Sequence, residues 1–518
     1  MSRLLAIGLD AASWPLLRRL ARRGLVPNIA ELAARGRLVT VHGSSAYRAE
    51  LAWTTFLAGA GPTRTGYWGT VRFDPRSYRA WEDGAHRFAP FYAPLDGVVA
   101  FDVPHVAPWP GVAGVQLSGW GAHSPQVEAA SLPAAVLADV VANHGLHPRL
   151  EADSEPIWHR PGCHAALARD LMRGIGVRAA VFDELIGRLP GWRLAITVFS
   201  ETHSAGHHLW HGVDPAHPAA AEPGAASAGD WFVQIHRALD EAIGALVHRH
   251  APAGDDVAVA LFSPHDMTIN ASDLAAQYFV PELLARLQGA APTLRRQPGP
   301  PDPSLARPDP DESLARAFER RHVPEAALGR RMLRSAARRL AELHGAGGPA
   351  APDGSSPGSW PRPLDYLGAM RHRAWWPSSR AFALPSFSDA QLRVNLRGRE
   401  SNGVVAPQDY AAELDRWETE LRAVRDGRTG STVVRDVTRP RAGDPTAAGG
   451  PPADLVVRFG PATDRVEHPK LGTIGPLPFL RTGEHGDRGF VLLAGRRVDA
   501  APAEIDLADA ASLLVPRP

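Results

Sequence analysis

Cysteine is nearly missing. Among 518 residues only Cys163 carries a thiol. That excludes an intramolecular disulfide and any cysteine-rich zinc cluster, and it suits a reducing compartment. Long apolar runs are also absent. No uninterrupted stretch reaches the roughly 20 residues a membrane span needs. The opening MSRLLAIGLDAASW is broken by Asp10 too early for the core of a signal peptide. A cytoplasmic protein with no membrane partner is therefore expected. Charge of one sign is lacking too. Lys plus Arg is 56 and Asp plus Glu is 55, a net charge of +1. Such a balance gives no reason to expect a nucleic-acid partner. There is no fixed-period repeat, Walker loop or Rossmann glycine fingerprint.

What is present reads as a folded chain. Apolar content of 44% and charged content of 21% are ordinary for globular proteins. The 22 histidines are the most suggestive feature, because several fall just after apolar strands. Residues 3–9 form a short apolar run typical of a central parallel strand, and Asp10 sits where it stops. Ser13 can cap a following helix with Leu16, Leu17 and Leu20 as its apolar stripe. Residues 193–199 repeat the pattern and run into SETHSAGHHLWH. Asp230 can cap a helix carrying Phe232, Ile235, Leu239, Ile243 and Leu246 on one face. Residues 257–262 form another strand, followed by SPHDM. Late strands at 455–459 and 490–494 flank RTGEHGDRG. Alternating strands and helices predict an α/β fold, a mainly parallel central sheet with helices on both faces. In such sheets ligands bind off the carboxyl ends of the strands, so Asp10 is well placed for chemistry.

Segments 214–229, 290–312, 345–362 and 440–453 are rich in Pro, Gly, Ala or Ser and read as loops or disorder. Residues 315–344 read as a basic helix with Arg330, Arg331, Arg334, Arg338 and Arg339. It is either a solvated helix docked by Met332, Leu333, Ala336 and Leu340, or a surface for RNA or a membrane. The expected organisation is a core in two parts, 1–289 and 370–518. Between them lies a partly helical, partly disordered insertion, 290–369.

The order of several motifs resembles the type I phosphodiesterase/nucleotide pyrophosphatase branch of the alkaline phosphatase superfamily. These are IGLDAASWPLL, GLVPNIAELAARG, AWTTFLAGAGPTRTGYWG, FDVP with VAGVQLSGWG, ETHSAGH, SPHDM and RTGEH. The block RAFALPSFSDAQLRVNLRGRESNG is similar to one in bacterial members. The resemblance spans roughly 1–285 and 370–500. It implies a two-metal hydrolase, usually of zinc, acting on phosphoric or sulfuric esters. Two cations would clamp the attacking and leaving oxygens, and a helix N-terminus would add backbone donors. By this resemblance Asp10, His207, His265 and His485 match metal ligands.

Three positions depart from the pattern. Ala49 falls in the nucleophile slot, His203 stands where an Asp is usual four residues before His207, and Pro264 replaces the Asp before His265. An alanine cannot attack phosphorus or sulfur; Ser44 and Ser45 lie nearby in sequence, Thr54 lies more than a turn further into the helix, and a metal-activated hydroxide could attack directly. His203 and His207 at i, i+4 share one helix face. With His485 and Glu201 they offer three imidazoles and a carboxylate, a set suited to zinc, with iron or manganese as other candidates. Asp10 and His265 leave a second site incomplete unless Asp266 substitutes for the lost carboxylate. Arg48 and Glu50 flank Ala49. Arg48 could hold a substrate anion and Glu50 could act as general base, or the two could form a salt bridge. The expected partner is a small anionic substrate. Three functions stay open: a metal-dependent hydrolase of a phosphodiester, pyrophosphate or related ester; a metalloenzyme of a different, non-hydrolytic reaction class; and a non-catalytic anion-binding relative.

Overall fold

The computed structural model describes residues 3–44, 47–82, 88–121, 127–150, 157–252, 256–295, 304–309, 313–323, 362–441, 443–447, 450–495 and 501–516. Its centre is a nine-stranded sheet. The strands are β1 (Arg3–Leu9), β2 (Gly36–His42), β3 (Asp96–Phe101), β4 (Ala113–Ser118), β5 (Ala130–Leu132), β6 (Leu194–Phe199) and β7 (Val257–Ser263). A separate two-stranded antiparallel sheet, β8 (Met267–Ile269) and β9 (Gly483–His485), joins segments far apart in sequence and stands apart from it. The strands β10 (Arg488–Ala494) and β11 (Glu504–Asp506) return to the sheet. The sheet order is β11-β2-β10-β7-β1-β6-β3-β4-β5.

Strands β7, β1, β6, β3 and β4 run parallel, as the sequence pattern predicts. Their residues are apolar on both faces because both faces are covered; every residue of β6 and β7 is buried. The helices that cover them include α1 (Trp14–Arg22), α2 (Arg48–Ala58), α3 (Pro161–Gly187), α4 (Glu201–Leu209) and α5 (Ala225–His250). Leu16, Leu17 and Leu20 of α1 and Phe232, Ile235, Leu239, Ile243 and Leu246 of α5 all join one core. The register matters more than the strand count. Leu9 lies opposite Phe199, and Gly8 lies opposite Phe262. Asp10, Glu201 and the SPHDM turn therefore leave the sheet at a single edge, the carboxyl end of its central strands.

The structure corrects three expectations. Segment 214–229 is not a plain loop: it holds a 3-10 turn at Pro218–Ala221, and α5 begins at Ala225. Asp230 thus lies inside the helix rather than capping it. The alanines there favour helix, and Gly224, at φ 96, supplies the left-handed entry. Strand Leu455–Phe459 belongs to a separate four-stranded antiparallel sheet with Ala381–Leu384, Ala390–Val394 and Val434–Thr438. That sheet has its own apolar core around Leu392, Val394, Trp417, Leu455 and Val457. Strand β10 enters the central sheet antiparallel to its neighbours. Of the expected basic helix only 315–323 is described, with a helix at Leu314–Arg321; Arg330, Arg331, Arg334, Arg338 and Arg339 lie outside the described residues. No described helix is long and apolar enough to cross a membrane.

Candidate metal centre

Helix α4 starts immediately after β6, so its first turns stand over the strand ends. Its residues are all buried. His203 and His207, one turn apart, point the same way, with their Nε2 atoms 3.1 Å apart. The antiparallel pair β8–β9 carries His485 to the same place. Ring centroids of His203 and His485 are 4.8 Å apart, and those of His207 and His485 are 5.1 Å apart. One ligand atom from each of the three residues fits within a 4.8 Å span, and no other group of three or more potential ligands does so among the described residues.

Glycine makes this approach possible. A Cβ at Gly483 would sit 2.4 Å from the carbonyl oxygen of Gly206, so only a residue without one lets α4 and β9 touch. The contact places the Gly483 carbonyl 2.7 Å from His207 Nδ1. A carbonyl only accepts, so Nδ1 carries the proton and Nε2 keeps its lone pair. A backbone carbonyl holding the far nitrogen of an imidazole is a common support for a metal ligand. The donor set fits a borderline cation such as zinc, for which imidazole is a preferred ligand.

Next to this trio lie Asp10 and His265. The His265 ring stacks on His485 at 4.5 Å with a 17° tilt, and its Nε2 is 3.6 Å from Asp10 Oδ1. That oxygen also accepts the indole N–H of Trp53 at 2.7 Å. The backbone oxygen of Asp10 accepts from Thr202 Oγ1 at 2.6 Å, which ties β1 to α4. Asp10, His203, His207, His265 and His485 are thus brought together by the fold.

Glu201 is not brought to the cluster. Its carboxylate accepts from Arg178 Nε at 3.0 and 3.2 Å and pairs with His147 Nε2 at 3.0 Å. Arg178 is itself fully buried and also bonds Asp102 and Ser200. Burial alone would raise the Glu201 pKa, but Arg178 and His147 outweigh it and hold the group down at about 2. Asp266 also turns elsewhere: its Oδ1 accepts from the backbone N–H of Arg488 at 3.3 Å, and burial pushes it up to about 7.

Arg48 opens α2 beside the cluster with its fork on Asp389, at 3.1 Å from Nε and 2.5 Å from Nη2. Its Nη1 donates to the carbonyl of His485 at 3.2 Å, and Glu484 lies 3.5 Å away. Burial opposes its charge, yet Asp389 and Glu484 hold the guanidinium above its ordinary value. Ala49 and Glu50 follow Arg48 in the first turn of α2; their side chains lie outside the described residues. Sequence reasoning missed Trp53, Arg178, Asp389 and Arg481. Arg481 lies inside RTGEH, four residues before His485, and that position was its only signal. The others are distant in sequence from what they hold.

No family model matches the chain, and no curated protein matches it. Solved structures do. Phosphonoacetate hydrolase from Sinorhizobium meliloti 1021, in complex with phosphonoformate, is similar at 14% identity over 99% of this chain and 95% of that one, with a TM-score of 0.49. Murine ectonucleotide pyrophosphatase/phosphodiesterase 5 is similar at 11% identity over 99% and 94%, with a TM-score of 0.43. Alkaline phosphatase PafA is similar at 10% identity over 99% and 96%, with a TM-score of 0.44. All three are members of the alkaline phosphatase superfamily, which the sequence motifs resemble.

Proposed function

We propose that the chain is a metal-dependent hydrolase of a phosphodiester, pyrophosphate or related ester, and that it works without a side-chain nucleophile at position 49. The observation that carries this reading is the trio His203, His207 and His485, converging from a helix and a two-stranded antiparallel sheet at the carboxyl ends of the central strands. A cation held there would supply positive charge to a substrate oxygen and acidify water toward neutral pH. The chain's own residues supply the rest. The Gly483 carbonyl fixes the His207 tautomer. His485 is half-buried beside the buried His203 and His207. A small anion is the fitting substrate class, and a cytoplasmic location agrees with the lone cysteine.

One observation favours a second reading. The two family positions that would build another metal site, Asp10 and His265, bring only one carboxylate and one imidazole, and Asp10 Oδ1 already accepts from Trp53. A single-metal centre of a non-hydrolytic reaction class would need nothing more than the imidazole trio. The test is metal content by plasma mass spectrometry alongside hydrolysis of bis(p-nitrophenyl) phosphate. One equivalent of metal and slow hydrolysis, both lost in His203→Ala, are expected. Metal without hydrolysis turns the reading to the second class. No metal after incubation with zinc, iron or manganese overturns both.

A further inference from the structure

Arg481 lies against the trio. Its Nη1 is 3.1 Å from His207 Nε2, the nitrogen whose lone pair a metal would take. Two further donors reach Asp273: Nε donates to Oδ2 and Nη2 to Oδ1, each at 2.9 Å. Asp273 is buried and in turn fixed by Asn270, whose amide nitrogen donates to it at 2.7 Å. Thr482, the next residue after Arg481, donates both its N–H and its hydroxyl to the carbonyl of His207. The guanidinium is therefore held at the centre from two directions, while its side chain stays 30% exposed.

This placement creates a conflict that one ligand class resolves. A metal on His207 Nε2 and an Arg481 N–H on the same lone pair exclude one another. The clamp on Asp273 prevents the guanidinium from leaving, so a bound cation must face a second positive group across a few ångströms. A tetrahedral oxyanion relieves both problems, with one oxygen on the cation and another accepting from Nη1. Arginine suits this role because its planar fork can be fixed on one carboxylate and still present a donor to an anion.

Resting on the reading of the trio as a metal centre, we propose that Arg481, clamped by Asp273, is the anion-recognition residue of that centre, and that metal and a phosphoryl or sulfuryl oxyanion bind there cooperatively. Coupling between two ligands is reciprocal, so the anion tightens the metal as much as the metal tightens the anion. Co2+ titration of the full chain, followed by its visible absorption, tests this with and without millimolar inorganic phosphate. Phosphate should tighten Co2+ binding by about tenfold in the wild type, within the usual range of such coupling. Arg481→Gln should bind Co2+ alone at least as tightly as the wild type, with its phosphate effect reduced to about twofold or less. Arg481→Lys, which keeps the charge, should recover part of the effect. A wild type that binds Co2+ without any phosphate effect overturns the role of Arg481 and leaves the metal centre standing. So does an equal effect in the Gln variant. A wild type that binds no Co2+ overturns the centre itself.

Discussion

Glu201→Gln separates two roles for a carboxylate two residues before His203. As a metal ligand, Glu201 would be needed for metal content and of little consequence to the fold. The structure pairs it instead with Arg178 and His147, at zero solvent exposure on both sides of the Arg178 pair. Removing one partner of such a pair leaves a buried charge undercompensated, at a cost of about 3–5 kcal/mol. The depressed Glu201 pKa, from 4.5 to about 2, corresponds to about 3 kcal/mol of preference for the ionised form, which agrees. Glutamine keeps the shape and one acceptor, and Arg178 retains Asp102 and Ser200. The expected loss is therefore about 2–4 kcal/mol, read as a shift in the urea midpoint by tryptophan fluorescence. Metal content by plasma mass spectrometry should be unchanged. In an Arg178→Met background the same substitution should cost clearly less, because the pair is already gone. Metal lost from Glu201→Gln with an unshifted urea midpoint would refute the argument.

Three further outcomes follow from the same geometry. Gly483→Ala should displace β9 from α4 and lower metal affinity along with stability by about 1–3 kcal/mol, since a Cβ there meets the Gly206 backbone at 2.4 Å; titration calorimetry and urea unfolding check both. Trp53→Phe removes the indole donor to Asp10 Oδ1, and stability should drop by about 1.5–3 kcal/mol, the range for a hydrogen bond to a charged group, measured by urea unfolding. Acid should destabilise the fold through buried imidazoles: burial holds His211 at about 3 and His217 and His236 at about 4, below the ordinary 6.5. The unfolded chain then binds more protons, so their contribution is whole above pH 6.5 and is lost as pH falls toward about 4. Each imidazole contributes up to about 3 kcal/mol to that loss. His236→Leu should flatten the fall in urea midpoint between pH 6.5 and 4, and an unchanged slope would count against the assignment.

The parallel centre of the fold was legible because burial on both faces writes itself as a continuous apolar run. Leu4 to Leu9, Leu194 to Phe199 and Val257 to Phe262 are such runs, and each is followed by a polar residue at the sheet edge. The second sheet was not legible. Leu455–Phe459 is as fully buried as a central strand, and periodicity does not say which sheet a buried strand joins. The start of α5 was missed for another reason: Pro, Gly and Ala in 214–229 mark turns in one setting and helix in another, and packing against α3 decides here.

The site shows the same division more sharply. Histidines at i, i+4 on a helix are readable because helix geometry alone puts them on one face. His485 was readable only through its place in a motif order. What positions these rings was invisible, because it consists of single contacts across large sequence separations: Gly483 to His207, Trp53 to Asp10, Arg178 to Glu201. Those contacts also decide which acidic residue serves which purpose. Glu201, Asp266 and Asp10 stand at equivalent strand ends, yet a buried arginine claims the first and the backbone N–H of Arg488, at the start of β10, holds the second. Only Asp10 stays beside an imidazole of the cluster. The candidate metal centre is thus an imidazole trio because two of the three neighbouring carboxylates are already bound to the scaffold, and in the reading proposed above an incoming anion would join Asp10 in balancing the charge that a metal brings.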